Sequence, residues 1–235
     1  MRLARDRRPA AMFTSHEARE FTYPTGEDEA VITQTVIGWS LGGCDIVWSD
    51  VLPRLLAAHG KAMVGNKTVI ELGAGCGLVG LIAAHWASRV DITDGDEEEV
   101  ELIQRNCEEH APSTCASAGH HLDWGTDSAT ELRAALLPNG FDVVLASQVV
   151  YVPAAIAKLV ETIAALLAPG GCAYLYNDAV TTLSTQQECR ALLDAAPAAK
   201  GLVAVPCALR LPPGAVMPHE NAYLLTITRV EEQAG

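Results

Sequence analysis

The chain has 235 residues, room for one domain and an extension, and 49% of them are apolar, which excludes an intrinsically disordered protein. Acidic residues outnumber basic ones 29 to 16, for a formal net charge of -13. That balance excludes a general nucleic-acid binder, which needs a basic stripe to displace counterions, and suits a protein partner with a basic target region.

No apolar run approaches the roughly 18 residues of a membrane span, so no membrane partner is expected. Met1 to Arg8 carries four arginines and no apolar segment, so it is not a secretory signal. Asp6 and the brevity of the stretch count against a mitochondrial presequence. Seven cysteines, at 44, 76, 107, 115, 172, 189 and 207, form no C-x-x-C pair, which suggests neither a zinc site nor a disulfide framework. They fit a reducing compartment, and a cytoplasmic monomer is the expectation.

Residues 1–35 are polar and read as an irregular N-terminal extension, with 36–235 as the folded domain. A helix is expected from Ser49, with Pro53 in its first turn and an apolar face of Leu52, Leu55 and Leu56. An alternation then begins. Thr68–Leu72 reads as a strand, Gly73–Gly77 as a loop and Leu78–Ala87 as a helix. Val90–Thr93 is a second strand and Asp96–His110 a helix with acids in its first turn, where they suit the macrodipole. A short strand at His120–Leu122 and a clear one at Phe141–Ala146 follow. Then come a helix at Pro153–Leu167, a strand at Cys172–Tyr176 and a helix at Thr181–Ala195. Strands at Leu202–Leu209 and Ala222–Val230 close the chain. Strands alternating with helices imply an α/β fold, with an open, mostly parallel sheet and helices on both faces.

Residues 69–80 read VIELGAGCGLVG. A strand that runs into Gly73, Gly75 and Gly77 and then a helix lets the backbone turn sharply and approach a ligand. The next strand ends in Thr93-Asp94, and an acid there can accept from both ribose hydroxyls. Together these features point to an adenosine-containing cofactor. Gly75-Cys76-Gly77-Leu78-Val79-Gly80 also satisfies the dinucleotide pattern G-x-G-x-x-G, so a nicotinamide oxidoreductase is a competing reading. A plain tight turn is the bland one. Glu71 tips the balance: a carboxylate repels a pyrophosphate but suits the sulfonium and ammonium of S-adenosylmethionine.

With these residues in view, the sequence resembles the class I, seven-β-strand methyltransferases, and within them the small protein-lysine methyltransferases of family 16. The resemblance runs from about Gly43 to Asn177 and again over Tyr223–Val230. Ile46-Val47-Trp48, the glycine loop, Ile92-Thr93-Asp94 and Leu122-Asp123-Trp124-Gly125 carry it. It implies a Rossmann-like sheet of seven strands, mostly parallel with the last antiparallel, and S-adenosylmethionine as cofactor. Gly73, Ala74 and Gly75 would then approach its methionine moiety with Glu71 nearby, and Asp94 would bind the ribose. Trp124 with Asp123 would cover the adenine, Trp48 would help close the pocket, and Ser147 would join the cofactor contacts. For Trp48 a buried helix-start anchor is the competing reading, and for Trp124 a loop staple.

The reaction end is where the chain departs. The family carries an Asp-x-x-Tyr motif after the fourth strand, and this chain reads Gln148-Val149-Val150-Tyr151. Gln148 and Tyr151 are therefore the candidate catalytic residues, for methyl transfer to a side-chain nitrogen of a protein, lysine first. Gln148 keeps a carbonyl acceptor and loses the charge that would hold an ammonium. It leaves three readings open: a weaker lysine site, a different nucleophile such as histidine or an amide, or a scaffold that binds cofactor without catalysis. Asp178 after the fifth strand is an acid that could compensate. His120-His121 has no third ligand at suitable spacing and is read as non-metal, Asp142 as structural, and His219 and Glu220 as loop residues on the substrate side.

Overall fold

The computed structural model describes residues 15–25, 31–40, 49–178, 182–212 and 221–230. The chain opens with an antiparallel hairpin of β1 (Ser15–Pro24) and β2 (Val31–Ser40). Residues 1–35 were expected to be irregular; instead Ser15–Pro24 and the start of β2 are strand, and the expected boundary at 35/36 falls inside β2. The hairpin buries Tyr23, Ile32, Val36 and Ile37 in the main core, so it packs as part of the same body.

The principal sheet holds seven strands: β3 (Thr68–Leu72), β4 (Arg89–Asp94), β5 (Ala116–His121), β6 (Phe141–Ser147), β7 (Leu167–Asn177), β8 (Leu202–Pro206) and β9 (Tyr223–Arg229). Their order is β5-β4-β3-β6-β7-β9-β8. The first five are parallel, and β9 runs antiparallel to both neighbours, as expected. The helices are α1 (Val51–Val64), α2 (Leu78–Ala83), α3 (Glu97–His110), α4 (Thr126–Leu136), α5 (Ile156–Leu166) and α6 (Leu183–Ala195).

Period-two alternation divides the strand residues between two cores. Val69, Val143 and Leu145 face a core shared with α1, α2, α3 and the hairpin. Ile70, Val144 and Ala146 face the opposite core with Leu159, Ile163 and Leu193 of α5 and α6. Both faces are covered over the central strands, which is why β3 and β6 read as nearly continuous apolar runs.

The ends of the elements follow local chemistry. Asp96 caps α3 by accepting from the Glu98 N–H at 3.0 Å, and Glu97, Glu98 and Glu99 sit where the helix dipole favours acids. At α1 the Ser49 hydroxyl accepts from the Val51 N–H at 3.2 Å, and Asp50 pairs with Arg54 at 2.6 Å. β8 stops at Pro206, short of the expected Leu209, because proline has no N–H to continue a ladder. β7 starts at Leu167 rather than Cys172, since Leu167 already pairs with Phe141 before a register shift. The helix expected over Pro153–Leu167 begins with a short 3-10 turn, Pro153–Ala155.

Strand order reverses between β3 and β6, with β4 and β5 on one side and β7 on the other. Parallel sheets bind ligands outside their carboxyl ends at such a reversal. The glycine loop after β3, Asp94 at the end of β4 and Gln148 just beyond β6 all lie on that rim.

Candidate active site

The glycine loop is pinned to the tip of β4. The Ala74 N–H donates to the Thr93 carbonyl at 3.0 Å, and the Gly75 N–H donates to Asp94 Oδ2 at 2.9 Å. Gly75 takes a φ of +54°, in the left-handed region where a side chain is strained. A Cβ there would meet nothing within 4 Å, so the loop offers bare backbone facing open space. The second oxygen of Asp94, Oδ1, accepts from the Asp96 N–H at 3.0 Å. Burial raises the Asp94 carboxyl above its usual range, against the pull of the Gly75, Asp96 and Gly95 N–H groups.

Glu71 lies beneath the loop and is 2% exposed. Its Oε2 accepts from the Gly80 N–H of α2 at 2.7 Å. Gly80 is close-packed as well: a Cβ there would lie 2.7 Å from Ile92 and 2.8 Å from that same Glu71 oxygen. Burial pushes the Glu71 carboxyl up to about 8, the Gly80 bond lowers it, and the charge of Asp94 adds to the rise. Glu71 therefore sits in the floor of the site as a buried acid fixed to a helix N–H.

Val149, after β6, and Trp124, after β5, both flank the loop. A Cβ on Gly73 would lie 2.9 Å from Val149 Cγ1 and 3.2 Å from Trp124 Cζ2. Trp124 is half-buried against the second core, and the following Gly125 N–H is tied to the Thr162 hydroxyl at 2.9 Å. Asp123 is exposed beside Gly95. Ser147 ends β6 half-buried, and Tyr151 is half-buried four residues on. The expected residues Glu71, Gly73, Ala74, Gly75, Asp94, Asp123, Trp124 and Ser147 thus lie at the carboxyl ends of β3, β4, β5 and β6. Trp48, His219 and Glu220 lie outside the described residues.

Gln148 is the strained member. It is a non-glycine residue at φ +60° and 6% exposed. Such outliers cost of order 1–3 kcal/mol and collect at functional sites. Its backbone N–H donates to the Tyr176 carbonyl at 2.9 Å, and its Oε1 accepts from the Asp178 N–H at 2.8 Å. Because Asp178 offers an N–H, the amide orientation of Gln148 is determined: oxygen toward Asp178, nitrogen away. Nε2 has no partner among the described residues.

Two residues of this region escaped sequence reasoning. Asn177 stitches the loop after β6 to the end of β7: its Oδ1 accepts from the Val150 N–H at 2.8 Å, and its Nδ2 donates to the Val150 carbonyl at 3.2 Å. A polar Asn-Asp pair closing an apolar strand was the available signal. Asn106, fully buried on α3, exchanges bonds of 2.7 Å with both backbone groups of Ile37 and donates to the Cys76 carbonyl at 2.9 Å. It joins the hairpin to the glycine loop, and only the tertiary fold brings its partners together.

The remaining polar candidates are structural. His120 Nε2 meets Asp91 Oδ1 at 2.8 Å, and Arg89 holds the other oxygen of Asp91 at 2.6 Å. Burial would raise the Asp91 carboxyl, but His120 and Arg89 outweigh it and hold it below the usual range. Asp142 Oδ2 accepts from the N–H and hydroxyl of Thr68, at 2.9 and 2.8 Å, far from the rim.

Residues 37–182 match the lysine methyltransferase family, a span covering most of the chain and every rim residue named above. This chain belongs to that family. It is 36% identical over 169 residues to EEF1A lysine methyltransferase 3 of Mus musculus, covering 72% of this chain and 69% of the relative. It is 33% identical over 173 residues to the protein N-terminal and lysine N-methyltransferase EFM7 of Yarrowia lipolytica, covering 66% of this chain and 62% of that protein. With METTL21A, a protein N-lysine methyltransferase of Danio rerio, it shares 34% over 127 residues, 52% of this chain and 55% of the relative. The chain thus spans between 55% and 69% of the lengths of these relatives. Among solved structures, the T. thermophilus 16S rRNA N2 G1207 methyltransferase superposes with a TM-score of 0.56 at 18% identity, covering 91% of this chain and 51% of that one. The fold of this lysine methyltransferase family member is therefore that of the Rossmann-like methyltransferases.

Proposed function

We propose that this chain transfers a methyl group from S-adenosylmethionine to a side-chain nitrogen of a protein, with lysine as the acceptor. The observation that carries the reading is the Gly75–Asp94 bond at the mouth of the crevice, in a chain of the lysine methyltransferase family. The relatives named above are lysine methyltransferases acting on proteins, which supports the acceptor class.

The rim residues fit the cofactor. Two carboxylates, Glu71 and Asp94, lie against the loop, and residues 69–80 contain no basic side chain. That suits a sulfonium and an ammonium and opposes a pyrophosphate, so the oxidoreductase reading is set aside. Asp94 would receive the ribose hydroxyls through the lone pairs its two backbone donors leave open. Gly73, Ala74 and Gly75 would pass the methionine moiety over their bare backbone, with Ser147 and Trp48 closing the pocket. Trp124 and Asp123 would edge the adenine. When bound, the cofactor supplies a methyl on a sulfonium whose S–C electron pair returns to sulfur as the acceptor nitrogen's lone pair forms the new bond.

The work left to the chain is to aim the amine and exclude water. Gln148 and Tyr151 are assigned to that acceptor side. With its oxygen engaged by Asp178 and its Nε2 buried, Gln148 has no group left to hold an ammonium, so its part on the acceptor side is to position the segment that carries Tyr151. The hairpin of β1 and β2 belongs to the methyltransferase domain in this reading. The net charge of -13 suits a basic target region. The chain would act as a monomer in the cytoplasm, and the six described cysteines, all free thiols, suit a reducing compartment.

The test is incubation of the full chain with methyl-labelled S-adenosylmethionine and a protein extract, followed by acid hydrolysis. Label recovered as methyl-lysine in a discrete protein supports the reading. Label in no protein, from a chain that binds the cofactor, contradicts it.

A further inference from the structure

An acceptor lysine arrives as an ammonium, and Gln148 has no charge to meet it. Gln148 does touch a carboxylate-bearing residue: its Oε1 holds the backbone N–H of Asp178 at 2.8 Å. Asp178 follows β7, 30 residues from Gln148 in sequence, and is 9% exposed. Its neighbour Asn177 is bonded both ways to Val150, which ties the segment after β6 to the end of β7. The Tyr176 hydroxyl donates to Asp178 Oδ2 at 3.3 Å and fixes the direction of the carboxylate.

Asp178 also lines a cavity of about 460 Å³ with Val150, Gln186, Arg190, Asp194 and Tyr223. The single arginine of that lining is committed elsewhere. Arg190 bonds Asp194 at 2.8 Å and lies over the Tyr223 ring at 4.5 Å. Its charge is thereby balanced by Asp194 within the lining. The lining joins the acidic residue Asp178 to apolar surface of Val150, Leu183 and Ala191, which suits a long aliphatic side chain with a cationic tip.

We propose that Asp178 is the carboxylate that receives the acceptor lysine's ammonium, the charge absent at position 148 being supplied from the end of β7; its role is recruitment and aim, and the ammonium gives one proton to solvent before the freed lone pair takes the methyl. The inference rests on the methyltransferase reading above. It makes Gln148 a strut: a neutral amide can bind the Asp178 N–H without placing a second negative charge against the first.

The test uses the full chain and two cofactor-derived probes. In both, the sulfur of S-adenosylhomocysteine is replaced by a tertiary amine. One carries a 2-aminoethyl arm, whose amine stands where the acceptor nitrogen would, the other an uncharged propyl arm. A hydrogen-bonded charge is worth enough that wild type should prefer the aminoethyl arm by roughly tenfold or more. Asp178→Asn should abolish that preference while S-adenosylhomocysteine affinity stays within about twofold of wild type. Asp178→Ser serves if the first variant does not fold, and Asp178→Glu should retain a preference. A wild-type preference that survives in Asp178→Asn or Asp178→Ser overturns the assignment, as does a wild type that binds S-adenosylhomocysteine yet ignores the arm's charge. A wild type that fails to bind S-adenosylhomocysteine overturns instead the methyltransferase reading beneath it.

Discussion

The backbone N–H of Gly75 donates to the Asp94 carboxylate at 2.9 Å, so the acid at the tip of β4 fixes the loop it shares a crevice with. Asp94 is thus assigned two duties, holding the loop and receiving the ribose. Asp94→Ala removes both. Affinity for S-adenosylmethionine should fall by about 1–3 kcal/mol, from hydroxyls and an N–H left without an acceptor. Calorimetric titration of the folded variant reads this directly, and unchanged affinity would remove Asp94 from the site.

Glu71 should couple cofactor binding to protons. Its carboxyl is raised to about 8 by burial, so near neutral pH it is largely protonated in the free chain. A cationic cofactor favours the ionised form, so binding should release protons and strengthen as pH rises toward 8. Titrations in buffers of different ionisation enthalpy count those protons. Glu71→Gln should abolish the release.

The same shift bears on stability with a definite sign. The folded chain holds the Glu71 proton up to about 8, while the unfolded chain loses it in the ordinary carboxylate range. The contribution is therefore fully present below that range and is lost as pH rises through the folded value. Urea midpoints of the free chain should fall between about pH 5 and pH 8, and the fall should be shallower in Glu71→Gln.

Asn106→Leu should destabilise the chain. It leaves the Ile37 N–H and carbonyl and the Cys76 carbonyl without their partner. Each unsatisfied buried group costs about 1–3 kcal/mol, so a loss of at least about 2 kcal/mol is expected by denaturant unfolding. Cofactor affinity should fall as well, because Cys76 belongs to the loop.

Gly80→Ala should damage the site from below. The added methyl would sit 2.8 Å from Glu71 Oε2 and 2.7 Å from Ile92. Overpacking of this kind costs about 1–3 kcal/mol, and it displaces the acid that Gly80 holds. Thermal unfolding and cofactor titration should both register the change.

What the sequence disclosed was whatever depends on neighbours along the chain. The turn after β3, the acid ending β4 and the capped, acid-led α3 are each complete within a few residues. The hairpin strand Ser15–Pro24 was missed because its apolar residues gather at Phe21 and Tyr23, and its burial comes from α1 and the main core. Helix α4 was missed because it buries only Ala129, leaving a faint stripe. At the candidate site, the loop–Asp94 relation was foreseen as a shared crevice. The lock between Gln148 and Asp178 was not, since it exists only because β6 and β7 are parallel neighbours. That lock also reverses the expected chemistry of Gln148, whose carbonyl oxygen is already engaged.

The most direct measurement is calorimetric titration of the full chain with S-adenosylmethionine and, separately, S-adenosylhomocysteine. Saturable one-to-one binding of both, lost or weakened in Asp94→Ala, is the predicted result. A well-folded chain that binds neither would contradict the assignment of the crevice formed by the glycine loop, Asp94 and Glu71.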